Sequence, residues 1–205
     1  MGGLLDVSVF TSAFVTLFVI MDPVGTIPVF LSLTGGYGPR GVARAARQAV
    51  AVSFSVIVVF AFFGQSILQY LHVSLPALQC AGGLLLLLVA LELLTGRGDE
   101  PMSHGDTNVA LVPLGTPLLA GPGAIVATMV FSKRVSDVGD FTAVGLAVIA
   151  VHLCLWLAMT FSIPILRLLR ESGILLVTRI AGLLLSAIAV QLVADAVHSF
   201  VLAYQ

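Results

Sequence analysis

Charge is what this sequence has least of. Only 9% of its 205 residues are Asp, Glu, Lys or Arg, while 59% are hydrophobic. So few charged side chains cannot cover a water-facing globular surface, which excludes a soluble domain. The 9 basic and 10 acidic residues leave a net charge of −1. No basic patch exists to track phosphates, so nucleic acid is excluded as a partner. Cysteine is reduced to Cys80 and Cys154, both within apolar runs and too far apart for metal-ligand spacing. Neither a disulfide framework nor a metal site is expected. HExxH, Gly-x-Ser-x-Gly and a phosphate-binding Walker loop are all missing. Asp22 and Asp195 could imitate an intramembrane aspartyl pair, but neither stands in a Gly-x-Gly-Asp context. No enzyme and no cofactor are expected. Strand-like alternation is absent, which excludes a β-barrel. The start, Met1 to Asp6, lacks the basic region of a cleaved signal peptide and is expected to stay as part of the first span.

Long apolar runs are present instead, and they recur over the whole length at about 20 residues or more each, enough to cross a bilayer. The expectation is one all-α polytopic membrane domain over 1–205. Six spans can be read: 7–33, 45–71, 76–95, 109–132, 140–166 and 178–202. The first is interrupted by Asp22, Pro23, Gly25 and Pro28, and the fourth by Pro113, Pro117 and Gly121-Pro122-Gly123. A carboxylate at such depth costs about 2.5 to 3.5 kcal/mol. Each proline also removes a backbone donor, and lipid cannot satisfy the carbonyls this frees. The interruptions must therefore face protein or a wet cavity.

The two halves match. Pro23 and Pro122 stand 99 residues apart, as do Gly83-Leu84-Leu85-Leu86 and Gly182-Leu183-Leu184-Leu185. The same offset pairs Ala51-Val52 with Ala150-Val151, Phe62 with Phe161, Ala90 with Ala189 and Glu92 with Gln191. It predicts a duplication, with repeats of about 1–98 and 106–205. Three spans per repeat is an odd number, so the second copy enters the membrane inverted, as in many secondary transporters. Loop charges give the orientation. Arg40, Arg44, Arg47, Arg97, Arg167, Arg170 and Arg179 fall on one side and Lys133 and Arg134 on the other. The arginine-rich side is expected in the cytoplasm and both termini outside. Re-entrant hairpins at the breaks would change this parity; crossing helices are preferred.

Asp22-Pro23 reads as an N-cap followed by proline at the first helical position, and Gly121-Pro122 repeats the proline placement. Thr116-Pro117 is a second possible start. Two half-helix N-termini would then converge near the midplane, offering unpaired N–H groups to a carboxylate, while Asp22 and the freed carbonyls suit an ammonium group or a cation. The ligand expected of such a site is a small zwitterion. Plainer roles are expected elsewhere. Pro28 and Pro164 read as packing kinks, Gly83 and Gly182 as close helix contacts, and Glu92 and Gln191 as residues snorkelling at span ends. His152, Asp195 and His198 read as groups hydrogen-bonded to a neighbouring helix rather than as a proton relay.

The stretches Met21-Asp22-Pro23-Val24-Gly25-Thr26-Ile27-Pro28-Val29-Phe30-Leu31-Ser32-Leu33-Thr34 and Pro113-Leu114-Gly115-Thr116-Pro117-Leu118-Leu119-Ala120-Gly121-Pro122-Gly123-Ala124-Ile125 resemble the MarC family of six-span inner-membrane proteins, also described as small neutral amino acid transporters. The resemblance covers essentially the full chain. It implies transport of glycine- or alanine-like solutes across a prokaryotic inner membrane. The expected site is Asp22, Pro23, Val24, Gly25 and Thr26 with Thr116, Gly121, Pro122, Gly123 and Ala124. Asp22 would hold the ammonium or carry the coupling H⁺, with Na⁺ as the other possible coupling ion, and Thr26 would supply a hydroxyl. The competing readings are a membrane scaffold or accessory protein, and a passive channel or lipid carrier.

Overall fold

The computed structural model describes residues 6–95 and 119–203. It is all-helical over these residues: α1 (Val7–Met21), α2 (Thr26–Thr34), α3 (Pro39–Tyr70), α4 (Leu75–Thr95), α5 (Pro122–Arg134), α6 (Val138–Thr160) and α7 (Ser162–Ala203). Four stretches are long and apolar enough to cross a membrane: α3, α4, α6 and Ser172–Leu202 of α7. That is two fewer than the six spans expected, and the missing two are the interrupted ones. With 15 residues, α1 is about 22 Å long at about 1.5 Å per residue, short of a hydrocarbon core of about 30 Å. The first ten residues of the fourth run, including Pro113, Thr116 and Pro117, lie outside the described residues, as does the 96–108 loop with Arg97.

Two loop assignments need correction. Arg40, Arg44 and Arg47, expected before the second span, lie on the first turns of α3, which starts at Pro39 behind an extended Gly38. Proline fits the first turn, where its missing N–H is no loss. The 32 residues of α3 run to about 48 Å at about 1.5 Å per residue, so its basic end can project beyond the hydrocarbon. The expected 167–179 loop shrinks to a single kink: within α7 two helices meet at Arg170, with φ of 55° and ψ of 173°, and the residues on either side are helical.

Contacts order the helix ends. Asp6 N–H donates to Gly139 O at 3.4 Å, bringing the start of α1 to the start of α6. Phe62 near the end of α3 meets Phe141 near the start of α6, with ring centroids 6.0 Å apart. The start of α4 and the ends of α5 and α7 share a cavity at Leu75, Lys133 and Ser199. At the opposite end lie the arginine-bearing starts of α3 and α7. The Asp6 carboxylate caps α1. It accepts from the Ser8 hydroxyl and from the N–H groups of Ser8 and Val9, and these bonds, led by the Ser8 hydroxyl, hold it below the usual carboxylate range.

Packing is close wherever the sequence supplies small residues, as lipid-embedded helices require. A Cβ on Gly83 of α4 would stand 2.8 Å from Ala189 O of α7, and one on Gly182 of α7 would stand 3.2 Å from Ala90 O of α4. Both pairs of partners are 99-residue equivalents of one another. Gly64 of α3 receives Met129 of α5, and Gly82 of α4 receives Val126 of α5. Large exposed hydrophobics such as Phe62, Phe63, Leu88 and Leu183 form the outward surface that lipid covers.

One buried polar pair ties α3 to α6. Ser53 Oγ lies 3.2 Å from His152 Nε2, a contact between residues 99 apart in sequence. His152 Nδ1 lies 2.8 Å from Val148 O. A carbonyl only accepts, so Nδ1 carries the proton of the neutral ring and Nε2 accepts from the Ser53 hydroxyl. His152 thus has the helix-to-helix bond expected of it. Ser53→Ala leaves Nε2 buried without a donor, at a cost of about 1–3 kcal/mol. A lowered melting temperature of the detergent-purified protein is the expected result, and an unchanged one would contradict the pairing.

Candidate functional site

The first break is built differently from the pattern expected. Asp22 does not open the second half-helix; it closes the first, with φ of 38° and ψ of 74° in the left-handed region and its N–H bonded to Phe18 O at 3.0 Å. Its carboxylate then reaches forward, and Oδ1 accepts the Gly25 N–H at 3.0 Å. The N-cap of α2 is Gly25. Asp tolerates the left-handed region because its short side chain can bond locally. Pro23, lacking an N–H, sits in the turn that the carboxylate gathers. A Cβ on Gly25 would overlap the Asp22 carboxylate, so this position must be glycine for the turn to close. Thr26 is buried, and its Oγ1 donates to Asp22 O at 2.7 Å. Its proton is committed, and toward a ligand the Thr26 oxygen can only accept.

The second break follows the expected pattern. Gly121 is extended, with φ of −61° and ψ of 164°, and Pro122 opens α5. Among the described residues no acceptor takes the N–H of Gly123 or Ala124. These are the orphan donors of a helix start.

The two breaks border one core. Met21, which precedes Asp22, belongs to the same buried cluster as Leu119, Ala120 and Ala124, together with Leu17, Phe30 and Ala49. The residue before Asp22 and the residues flanking Gly121 therefore pack into a common core. Pro23 is buried, Val24 half-buried and Pro122 exposed. Thr116 lies outside the described residues. Gly123 departs from the expected role of lining open space. A Cβ there would overlap Cδ2 and Cγ of Leu86, so α4 fills the side that glycine leaves bare. Leu86 was not singled out from the sequence, where one leucine in an apolar run carries no signal.

Three cavities lined by described residues, of about 460, 380 and 420 Å³, lie apart from both breaks. The first is walled mainly by aromatic and aliphatic side chains of α3 and α6. The second includes His152 and Trp156. The third is polar and holds Asp195 and His198.

The model of the MarC family integral membrane proteins matches residues 7–201, nearly the whole chain. This chain is a member of the MarC family. A UPF0056 membrane protein of Methanocaldococcus jannaschii is 35% identical, covering 97% of this chain and 100% of the relative. One from Archaeoglobus fulgidus is 34% identical, covering 92% of each chain. The UPF0056 membrane protein YhcE of Escherichia coli is 31% identical over 92% of this MarC chain and 91% of its own. These names identify membrane proteins and state no substrate. No solved structure matches the chain.

Proposed function

We propose that this MarC protein is a secondary transporter of small neutral amino acids, working by alternating access of two inverted three-helix repeats about a site between the two breaks. The observation that carries the reading is the shared core cluster of Met21, Ala120 and Ala124. It puts the residue before Asp22 and the start of α5 in one core, which supports a site shared by the Asp22 carboxylate and the Gly123 and Ala124 amides, unpaired among the described residues. A zwitterion fits that pairing, with its carboxylate on the amides and its ammonium on Asp22. The Gly25 amide is already taken by Asp22, so the donors come from the second break alone. Asp22 is the acid placed to couple flux to H⁺, and backbone carbonyls keep Na⁺ open as the coupling ion.

The inverted repeat is supported by three contacts. Gly83 against Ala189 and Gly182 against Ala90 are reciprocal, as across an isologous two-fold interface. Ser53 meets its own 99-residue equivalent, His152, as an axis running between α3 and α6 would require. In this reading α1 with α2 makes the first crossing, and the fourth run, 109–132, of which only 119–132 are described, makes the fourth. The helix-end contacts favour this, because α1 starts and α5 ends where α3 and α7 also end. The positive-inside rule then puts the arginine-bearing end in the cytoplasm of a prokaryotic cell and both termini outside.

The Gly123–Leu86 contact favours the second reading, a scaffold whose glycines serve packing alone. Uptake of labelled glycine and alanine into proteoliposomes, under an imposed pH or Na⁺ gradient, separates the two. Transport predicts saturable uptake that collapses when the gradient is dissipated. A scaffold gives none, and non-saturating flux indicates a channel.

A further inference from the structure

We infer that the polar cavity where α4 starts and α5 and α7 end is a binding site for a small zwitterion, separate from the site between the breaks. The cavity measures about 420 Å³ and is lined by Gln79, Lys133, Arg134, Asp195, His198 and Ser199 among others. Two cations and a carboxylate thus face one space. Among the described residues they close no ion pair with one another, although nothing covalent keeps them apart. Asp195 is held by its own helix, since Gln191 Nε2 donates to its Oδ1 at 2.7 Å. Its other oxygen has no partner among the described residues.

Gln79 is the second, independent pointer to a ligand. It is only 7% exposed, yet among the described residues its amide makes no hydrogen bond. Its amide nitrogen and oxygen are not among the unpartnered atoms sealed from solvent, so what little of Gln79 is accessible includes an amide with two donors and an acceptor to offer. Here the open side is the cavity. The Ser199 hydroxyl proton is spent on Asp195 O at 2.8 Å, so the wall donors left for a carboxylate are Lys133, Arg134, His198 and Gln79.

The charges select the ligand class. Lys133 and Arg134 attract an anion, but Asp195 in the same wall repels it. A simple cation meets the reverse problem. A molecule carrying both charges on a short backbone satisfies both walls, and the Gln79 amide can serve either end. The volume suits glycine and larger free amino acids. The binding claim stands on this cavity's own residues. Its role as a first stop for solute entering from that end rests on the transport reading above.

Equilibrium dialysis of labelled glycine against the purified full chain in phosphatidylcholine nanodiscs tests it. Wild type is expected to bind two glycines per chain. Asp195→Asn, and separately the pair Lys133→Gln with Arg134→Gln, should weaken one site by at least about tenfold and spare the other. Asp22→Asn should do the reverse. Acetate and methylamine, each carrying half of the charge pattern, should compete at least about tenfold less well than alanine. A wild type that binds no glycine, or whose glycine binding is untouched by both cavity changes, overturns the inference. So does binding seen only when phosphatidylethanolamine is added, which would assign the cavity to a lipid headgroup. Loss on the cavity changes with no effect of Asp22→Asn keeps this site and discards the midplane one.

Discussion

Asp22→Asn is expected to reduce gradient-driven amino acid uptake to the level of protein-free liposomes while the protein stays folded. The two roles of this side chain separate cleanly in that variant. As a cap, Asp22 needs one oxygen for the Gly25 N–H at 3.0 Å and a backbone that tolerates φ of 38°. Asn supplies both, since its amide oxygen accepts and it is among the few residues at ease in the left-handed region. What Asn cannot supply is a charge for the substrate ammonium or a site for a coupling proton. Melting should therefore stay within about 1 kcal/mol of wild type, whereas Asp22→Ala, which strands the Gly25 N–H, should cost about 1–3 kcal/mol. Measuring uptake and melting on the same preparations decides the matter. Normal uptake by Asp22→Asn would reduce the residue to a cap and remove the proposed coupling group.

Gly123→Val is expected to be strongly destabilising, and loss of flux in it alone would say little about binding. Its Cβ would land within the Leu86 side chain, and Leu86 is itself 5% exposed in the second core cluster. Overpacking of this kind costs about 1–3 kcal/mol. The destabilisation should be relieved in the double variant Gly123→Val with Leu86→Ala, where the added methyl groups enter the space the leucine vacates. A thermodynamic cycle on melting midpoints reads the coupling, expected at about 0.5–3 kcal/mol for residues in contact. Uptake in the rescued double variant then asks the functional question without the packing artefact. Restored stability without restored uptake assigns Gly123 to the site, and restoration of both assigns it to helix packing. Additive destabilisation would mean that α4 and α5 do not meet at this point.

Much of the helix plan was legible beforehand because hydrocarbon imposes few solutions. The α4 limits, the pause after Met21 and the start of α5 at Pro122 all follow from apolar run length and proline chemistry. Errors arose where the same rules run short. Arg40 to Arg47 and Arg167 to Arg179 read as loops because charge was equated with irregular backbone. A helix can carry arginines past the lipid boundary without changing its hydrogen bonds. Asp22-Pro23 read as a helix start because that dipeptide commonly is one. The alternative, a left-handed Asp whose carboxylate turns forward to an amide three residues on, uses the same residue types and differs only in φ.

By itself the sequence determined that the chain is an integral membrane protein and where its helices are interrupted, and it supplied the matches at a spacing of 99 residues on which the proposed repeat rests. Each of these follows from local composition and from matches along the chain, with no need to know which helix touches which. Tertiary structure decided what the interruptions present: a carboxylate already bonded to Gly25, amides at Gly123 and Ala124 with no acceptor among the described residues, and a leucine from α4 where open space was expected. It alone also joined Gln79, Lys133, Arg134 and Asp195 around one cavity. Those four residues lie on three helices far apart in the chain, and only the packing of small residues on α4, α5 and α7 sets the distances between them.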